Sequence, residues 1–154
     1  MDELIQWFGE QLDEDERITR AVRVPPDWHQ GPGDDPEWAD AEMVCMWPPE
    51  FHTPYERDRH WRGLSVEGAE LAEHIAAHDP RRVLREIDAK RQTVAQCRAA
   101  EECMDQAMRD NDMPSYQAAR AEAKALHAVI RRDAAVYADR PGYKEAWCPG
   151  ISAG

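Results

Sequence analysis

His74 and His78 stand four residues apart in a segment with helical patterning, the spacing that lets two imidazoles share one metal ion. The local order is Glu73-His74-x-x-x-His78, so no glutamate sits between the histidines as the base of a metalloprotease does. Asp79, His29 or a cysteine would have to supply a third ligand. A plainer use competes: histidine at a helix C-terminus is favoured by the dipole alone. Intramolecular hydrogen bonding is therefore the default for both rings, and a divalent metal the alternative. Arg81 and Arg82 follow at once, in the first turn of the next helix. With Arg85, Lys90 and Arg91 they would make a small anion-binding face beside a helix N-terminus. Asp79 would cap that terminus and compete for its N–H groups, while Glu73, Glu86 and the acidic first helix offer the arginines carboxylate partners. Structural pairing is the favoured reading.

The other reactive side chains define little. Cys45, Cys97, Cys103 and Cys148 include no C-x-x-C pair, which excludes a zinc ribbon and a thioredoxin-like motif. Cys97 and Cys103 would point about 120° apart on one helix, too divergent for a disulfide, so reduced structural thiols are expected. No nucleophile elbow, P-loop or dinucleotide-binding glycine pattern occurs. Trp28, His29, Tyr137, Tyr143 and Trp147 are expected to converge on the Asp79-Pro80 corner and staple both ends of the chain to the helices. Tryptophan is also enriched in binding hot spots. The candidate surface is thus Trp28, His29, His74, His78, Asp79, Arg81, Arg82, Tyr143 and Trp147, with His74 and His78 as the metal ligands of the alternative reading.

These residues need elements to hold them. Residues 1–22 read as a helix, with Asp2 as cap and Leu4, Ile5, Phe8, Leu12 and Ile18 as an apolar stripe beside Trp7. Within it, Asp13-Glu14-Asp15-Glu16 reads as a solvated face supported by Arg17 and Arg20 at helical spacing. Residues 23–64 form an irregular Trp/Pro-rich insertion: Pro25, Pro26, Pro32, Pro36, Pro48, Pro49 and Pro54 stop helices, and Trp28, Trp38, Trp47 and Trp61 lie among them. A short hairpin around Trp38–Met46 fits there and a large sheet does not. Residues 65–147 are helical again. Ser65 is the expected cap of a helix to His78, with Val66, Leu71 and Ile75 inward. Asp79-Pro80 restarts the chain, because proline suits the first helical position and disfavours helix at the residue before it. The next helix runs to Asp110 with Val83, Ile87, Lys90, Val94, Cys97, Glu101, Met104 and Met108 as its seam. After a turn at Asn111–Pro114, Ser115 caps a fourth helix to Tyr137, whose stripe is Tyr116, Ala119, Ala123, Leu126, Ile130, Ala134 and Tyr137. So short a connection makes the two an antiparallel hairpin. Residues 148–154 are expected to fray. The fold expected is mainly α, a single domain over residues 1–154.

The net charge of −12 is carried unevenly. Residues 1–62 hold 16 acidic and 6 basic side chains, net −10, and residues 63–154 hold 15 and 13, net −2. Such acidity argues against direct binding of duplex nucleic acid, which rests on Lys and Arg neutralising phosphates, and suits a basic protein partner. No apolar run reaches bilayer length, and Met1-Asp2-Glu3 lacks the basic start of a secretory signal. No membrane association and a cytoplasmic location are expected.

Three stretches occur in a telling order. They are Leu12-Asp13-Glu14-Asp15-Glu16-Arg17 with Trp28-His29, then His74-Ile75-Ala76-Ala77-His78-Asp79-Pro80-Arg81-Arg82-Val83-Leu84-Arg85-Glu86 continuing to Ala89-Lys90-Arg91, then Tyr137-Ala138-Asp139-Arg140-Pro141-Gly142-Tyr143-Lys144-Glu145-Ala146-Trp147. Together they resemble a family of small uncharacterised proteins from actinobacteria and their phages, classed as a domain of unknown function. The resemblance implies a shared fold and no particular activity. The chain departs from the family in carrying Arg140 where a Tyr-Ala-Asp-His-Pro segment is usual, and Val129–Val136 in place of a leucine-rich run. The functional expectation is a small acidic, non-enzymatic protein-interaction module of bacterial or phage origin, with another protein as partner and no cofactor. The alternatives are a metal-binding protein or metal-dependent enzyme centred on His74 and His78, and self-association through the helices of residues 80–137.

Overall fold

Apolar residues recur at three- and four-residue intervals over most of the chain, and helices dominate as a result. The computed structural model describes residues 2–22, 28–30, 43–45 and 63–150. In chain order these form α1 (Asp2–Ala21), β1 (His29–Gln30), β2 (Met43–Cys45), β3 (Gly63–Ser65), α2 (Ala69–Ala77), α3 (Pro80–Arg109) and α4 (Met113–Ala134). Two short 3₁₀ turns follow, Ala135–Tyr137 and Glu145–Trp147. The fold is mainly α with a long helical hairpin. It divides into two compact units, Met1–Glu16 with Ile87–Gly154, and Arg17–Glu86. Among the described residues no helix is long and apolar enough to cross a membrane.

In the first unit α1 buries Leu4, Ile5, Trp7, Phe8 and Leu12. Ile18, expected in the same stripe, is 50% exposed. It lies past Asp15 and Glu16, the last α1 residues of this unit. On α3 from Ile87 onward the buried residues are Ile87, Cys97, Ala100 and Ala107. At 100° per residue the buried direction turns by about 160° between Ile87 and Ala107. Ala107 therefore faces inward, and Met108, expected in the seam, is 53% exposed. Of the expected α4 stripe, Ala119, Ala123, Ile130, Ala134 and Tyr137 are buried, while Tyr116 and Leu126 are half-buried.

The hairpin turns at Asn111, which takes φ 55. The Asp112 N–H donates to the Ala107 carbonyl at 2.9 Å and the Asn111 N–H to the Met108 carbonyl at 3.2 Å, a Schellman closure with asparagine in the left-handed position. Asp112, not Ser115, caps α4. Its carboxylate accepts from the Ser115 N–H at 3.1 Å and from the Ser115 hydroxyl at 2.6 Å. The helix and its cap lie three residues earlier than expected because Pro114 fits the first turn, where no intrahelical N–H bond is lost.

In the second unit three short strands pair antiparallel in the order β1-β2-β3. Val44 stands opposite Gln30 on one side and Leu64 on the other. Only β2 falls within the segment expected to be extended. Ser65 belongs to β3, paired with Met43, and the N-cap position of α2 falls on Gly68. Gly68 takes φ 100, outside helical geometry, and α2 begins after it. That delay sets which face is buried. Ala72 and Ala76 join Val44 in the core, with Trp28, Val66 and Ile75 packed against them. Leu71, expected inward, is 44% exposed. The tryptophan-rich stretches 31–42 and 46–62 lie outside the described residues.

Candidate functional site

The corner between α2 and α3 is built as its residues suggest. Asp79 caps α3 by accepting from the Arg82 N–H at 2.6 Å. The Arg82 guanidinium donates to Glu86 at 2.9 Å and to the Ala77 carbonyl at 2.7 Å, so it ties the end of α2 to the start of α3. The His74 and His78 rings lie 4.4 Å apart between centroids. The His78 Nδ1 contacts the His74 carbonyl at 2.7 Å. A carbonyl only accepts, so Nδ1 is the donor. Among the described residues, no third His, Cys, Asp or Glu ligand atom gathers with these imidazoles. Arg81 is exposed on the first turn of α3. His29 lies in β1 opposite Cys45.

The aromatic residues do not converge on that corner. Trp28 packs on the Val44 core of the second unit. Tyr143 and Trp147 belong to the first unit and surround Trp7, at 5.5 and 5.4 Å between ring centroids. Tyr143 and Trp147 meet edge to face at 5.8 Å. The Trp7 indole N–H donates to the Pro141 carbonyl at 3.0 Å. Gly142 takes φ 88, and a Cβ there would lie 2.9 Å from Trp7 Nε1. The turn thus needs glycine twice, for its backbone angle and for its lack of a side chain.

The acidic run of α1 is also not the simple solvated face expected. Arg91 donates to Asp13 and Glu16, both at 2.6 Å. Asp15 accepts from the Tyr137 hydroxyl at 2.8 Å and from Arg140 at 2.6 Å. The Arg140 guanidinium lies over the Tyr137 ring at 4.6 Å, and Lys90 Nζ lies 3.4 Å from the hydroxyl. Burial, then the bond to Asp15, pushes the Tyr137 hydroxyl above its ordinary range. Lys144 pairs with Glu3. The C-terminal segment therefore clasps α1 from Glu3 to Asp15.

Two further features lie in this unit. Asp2, Ile5, Gln6, Gly9, Glu10 and Asp13 of α1, with Arg98 of α3, line an open cleft of about 450 Å³. A Cβ at Gly9 would meet nothing within 4 Å, so glycine adds to the opening. Across the hairpin, His127 of α4 contacts Glu101 of α3 at 2.8 Å, one turn after the buried Cys97. Sequence reasoning placed Cys97 and Glu101 in the seam and missed His127. The i,i+4 spacing of Cys97 and Glu101 was the available signal; the third member depends on the hairpin register.

Residues 1–149 match the model of a family of unknown function (DUF6221). The chain belongs to this family. No curated protein and no solved structure matches it. Within this family member, the first and third stretches noted in the sequence meet: Asp15 of one binds Tyr137 and Arg140 of the other. The middle stretch supplies Arg91 to the same run and builds the Asp79 junction. The polar residues of these stretches tie distant parts of the first unit together and cap the α2–α3 junction.

Proposed function

We propose that the chain is a small acidic, non-enzymatic protein-interaction module of actinobacterial or phage origin, acting in the cytoplasm on a partner that presents a basic segment. The observation that carries this reading is the α1 cleft. Three carboxylates, Asp2, Glu10 and Asp13, face one cation, Arg98, around an opening floored by Ile5 and Gly9. A lysine or arginine from a partner entering it gains charge complementarity, which governs encounter rate and selectivity more than affinity. Asp13 is held by Arg91, so Asp2 and Glu10 are the residues to test.

The test is capture of a partner from the source organism by the untagged protein, repeated with Asp2→Lys and Glu10→Lys together. The expected result is a partner retained at low salt, released as salt rises, and lost with the double reversal while circular dichroism stays unchanged. A partner held equally well by the reversed variant sinks the reading. A second reading, a metal-binding role for His74 and His78, is supported by the 4.4 Å approach of their rings. Metal analysis of the untagged protein with and without His74→Gln decides it.

A further inference from the structure

We infer that Cys97, Glu101 and His127 form a binding site for a divalent metal ion of the zinc class, separate from the α1 cleft and from the His74–His78 pair. One ligand atom from each residue lies within 4.8 Å of the other two. Thiolate, imidazole and carboxylate are the three ligand types of zinc sites, and a mixed sulfur, nitrogen and oxygen set selects against calcium and magnesium. Helical bundles build metal sites from side chains on facing helices, and two ligands four residues apart lie on one face of a helix.

The geometry needs little adjustment. Tetrahedral zinc with bonds of about 2.0–2.3 Å sets its ligand atoms roughly 3.3–3.6 Å apart. The Glu101–His127 contact at 2.8 Å must widen, and no ligand pair, all lying within 4.8 Å, has to close by more than about 1.5 Å, which side-chain rotation supplies. Cys97 is fully buried, while the Glu101 and His127 side chains are 28% and 25% exposed. The sulfur thus forms the dry floor, and the fourth position faces solvent through the other two. In the hydrogen bond His127 donates from Nε2. On metal binding that proton is replaced by the ion, the neutral ring carries its proton on Nδ1, and the thiol proton leaves to solvent.

A purely structural Glu101–His127 bridge beside a core thiol makes a different prediction, and cobalt(II) separates the two. Titration of the untagged, reduced full chain with cobalt(II) should give one equivalent of a sulfur-to-cobalt charge-transfer band, displaced by zinc(II). Cys97→Ser should abolish the band. His127→Gln and Glu101→Gln should each weaken binding at least tenfold, with helical content in metal-free buffer unchanged. His74→Gln with His78→Gln should leave it intact. If Cys97→Ser fails to fold, the triple variant Cys45→Ser, Cys103→Ser, Cys148→Ser keeps Cys97 as the sole thiol and must retain the band. Absence of a stoichiometric band in the wild type, its survival in Cys97→Ser, or its loss on removing His74 and His78 instead of His127 overturns the site.

Discussion

The acidic run at residues 13–16 and the polar corner at residues 74–86 are both dense in charge and hydrogen-bonding groups, and they are satisfied over very different distances along the chain. At the corner the bonds of Asp79 and Arg82 are local. Asp79 and Arg82 are 3 residues apart, Arg82 and Glu86 are 4, and Arg82 and Ala77 are 5. In the acidic run Asp13 reaches a partner 78 residues away, and Asp15 reaches partners 122 and 125 residues away. Local bonds fix how one helix hands over to the next. Distant ones fix which parts of the chain share a unit, because Arg91, Tyr137 and Arg140 can bind α1 only after the chain has returned to it. The environments differ too. The Arg82–Glu86 pair is 45% and 50% exposed, a setting in which ion pairs contribute little. Tyr137 and Asp15 are largely covered, so leaving either unpaired costs more.

If the clasp closes the first unit, its tightest point should be its most sensitive. Gly142→Ala forces a side chain into a left-handed backbone position and places its Cβ 2.9 Å from Trp7 Nε1. Backbone strain and overpacking together should destabilise by about 2–4 kcal/mol. The measure is the urea midpoint, read at constant slope. An unchanged midpoint would mean that the Pro141–Tyr143 turn does not pack on Trp7.

Tyr137→Phe is the next step down. It removes the hydroxyl that joins Asp15 and Lys90 and should cost about 1–2 kcal/mol at neutral pH. It also carries a pH signature. The folded state raises the Tyr137 pKa, by burial first and by the Asp15 bond second. A raised value means stability that is fully present below the ordinary tyrosine value of 10.0 and lost as pH rises through it towards the folded value. The wild type should therefore lose stability above about pH 10 more steeply than Tyr137→Phe. Identical alkaline limbs would show that the hydroxyl is not buried against Asp15.

The same contrast explains how much was legible in the sequence. The Asp79-Pro80 junction was readable because a cap and a proline at the first helical position act over three residues. Most of the α4 stripe was readable because its apolar residues recur at three- and four-residue steps from Tyr116 to Tyr137. Ile18, Leu71 and Met108 were misplaced because periodicity gives an angle on a helix and says nothing of where the partner ends or the packed face turns. Arg17 and Arg20 looked sufficient for the acidic run, since helical spacing was the only evidence of pairing. Arg91 and Arg140 could be matched to it only through the tertiary fold. His127 escaped for the same reason, its link to Glu101 spanning 26 residues of hairpin.

The smallest effects belong to the corner, and their ranking tests whether its density is structural. Asp79→Ala removes a cap that satisfies a backbone N–H otherwise left without an intrahelical partner, and should cost about 1 kcal/mol. Arg82→Ala removes an exposed pair and one contact to a carbonyl, and should stay within about 0.5 kcal/mol. Hydrogen exchange across Ala77–Glu86 gives the finer reading. Asp79→Ala should raise exchange at Arg82 and its neighbours in the first turn of α3, while protection at Ile87 and beyond is unchanged, because those amides lie deeper in the helix ladder. If Arg82→Ala proves the costlier of the two, the corner is held by its arginine and not by its cap, and the separation of local from distant charge would have to be redrawn.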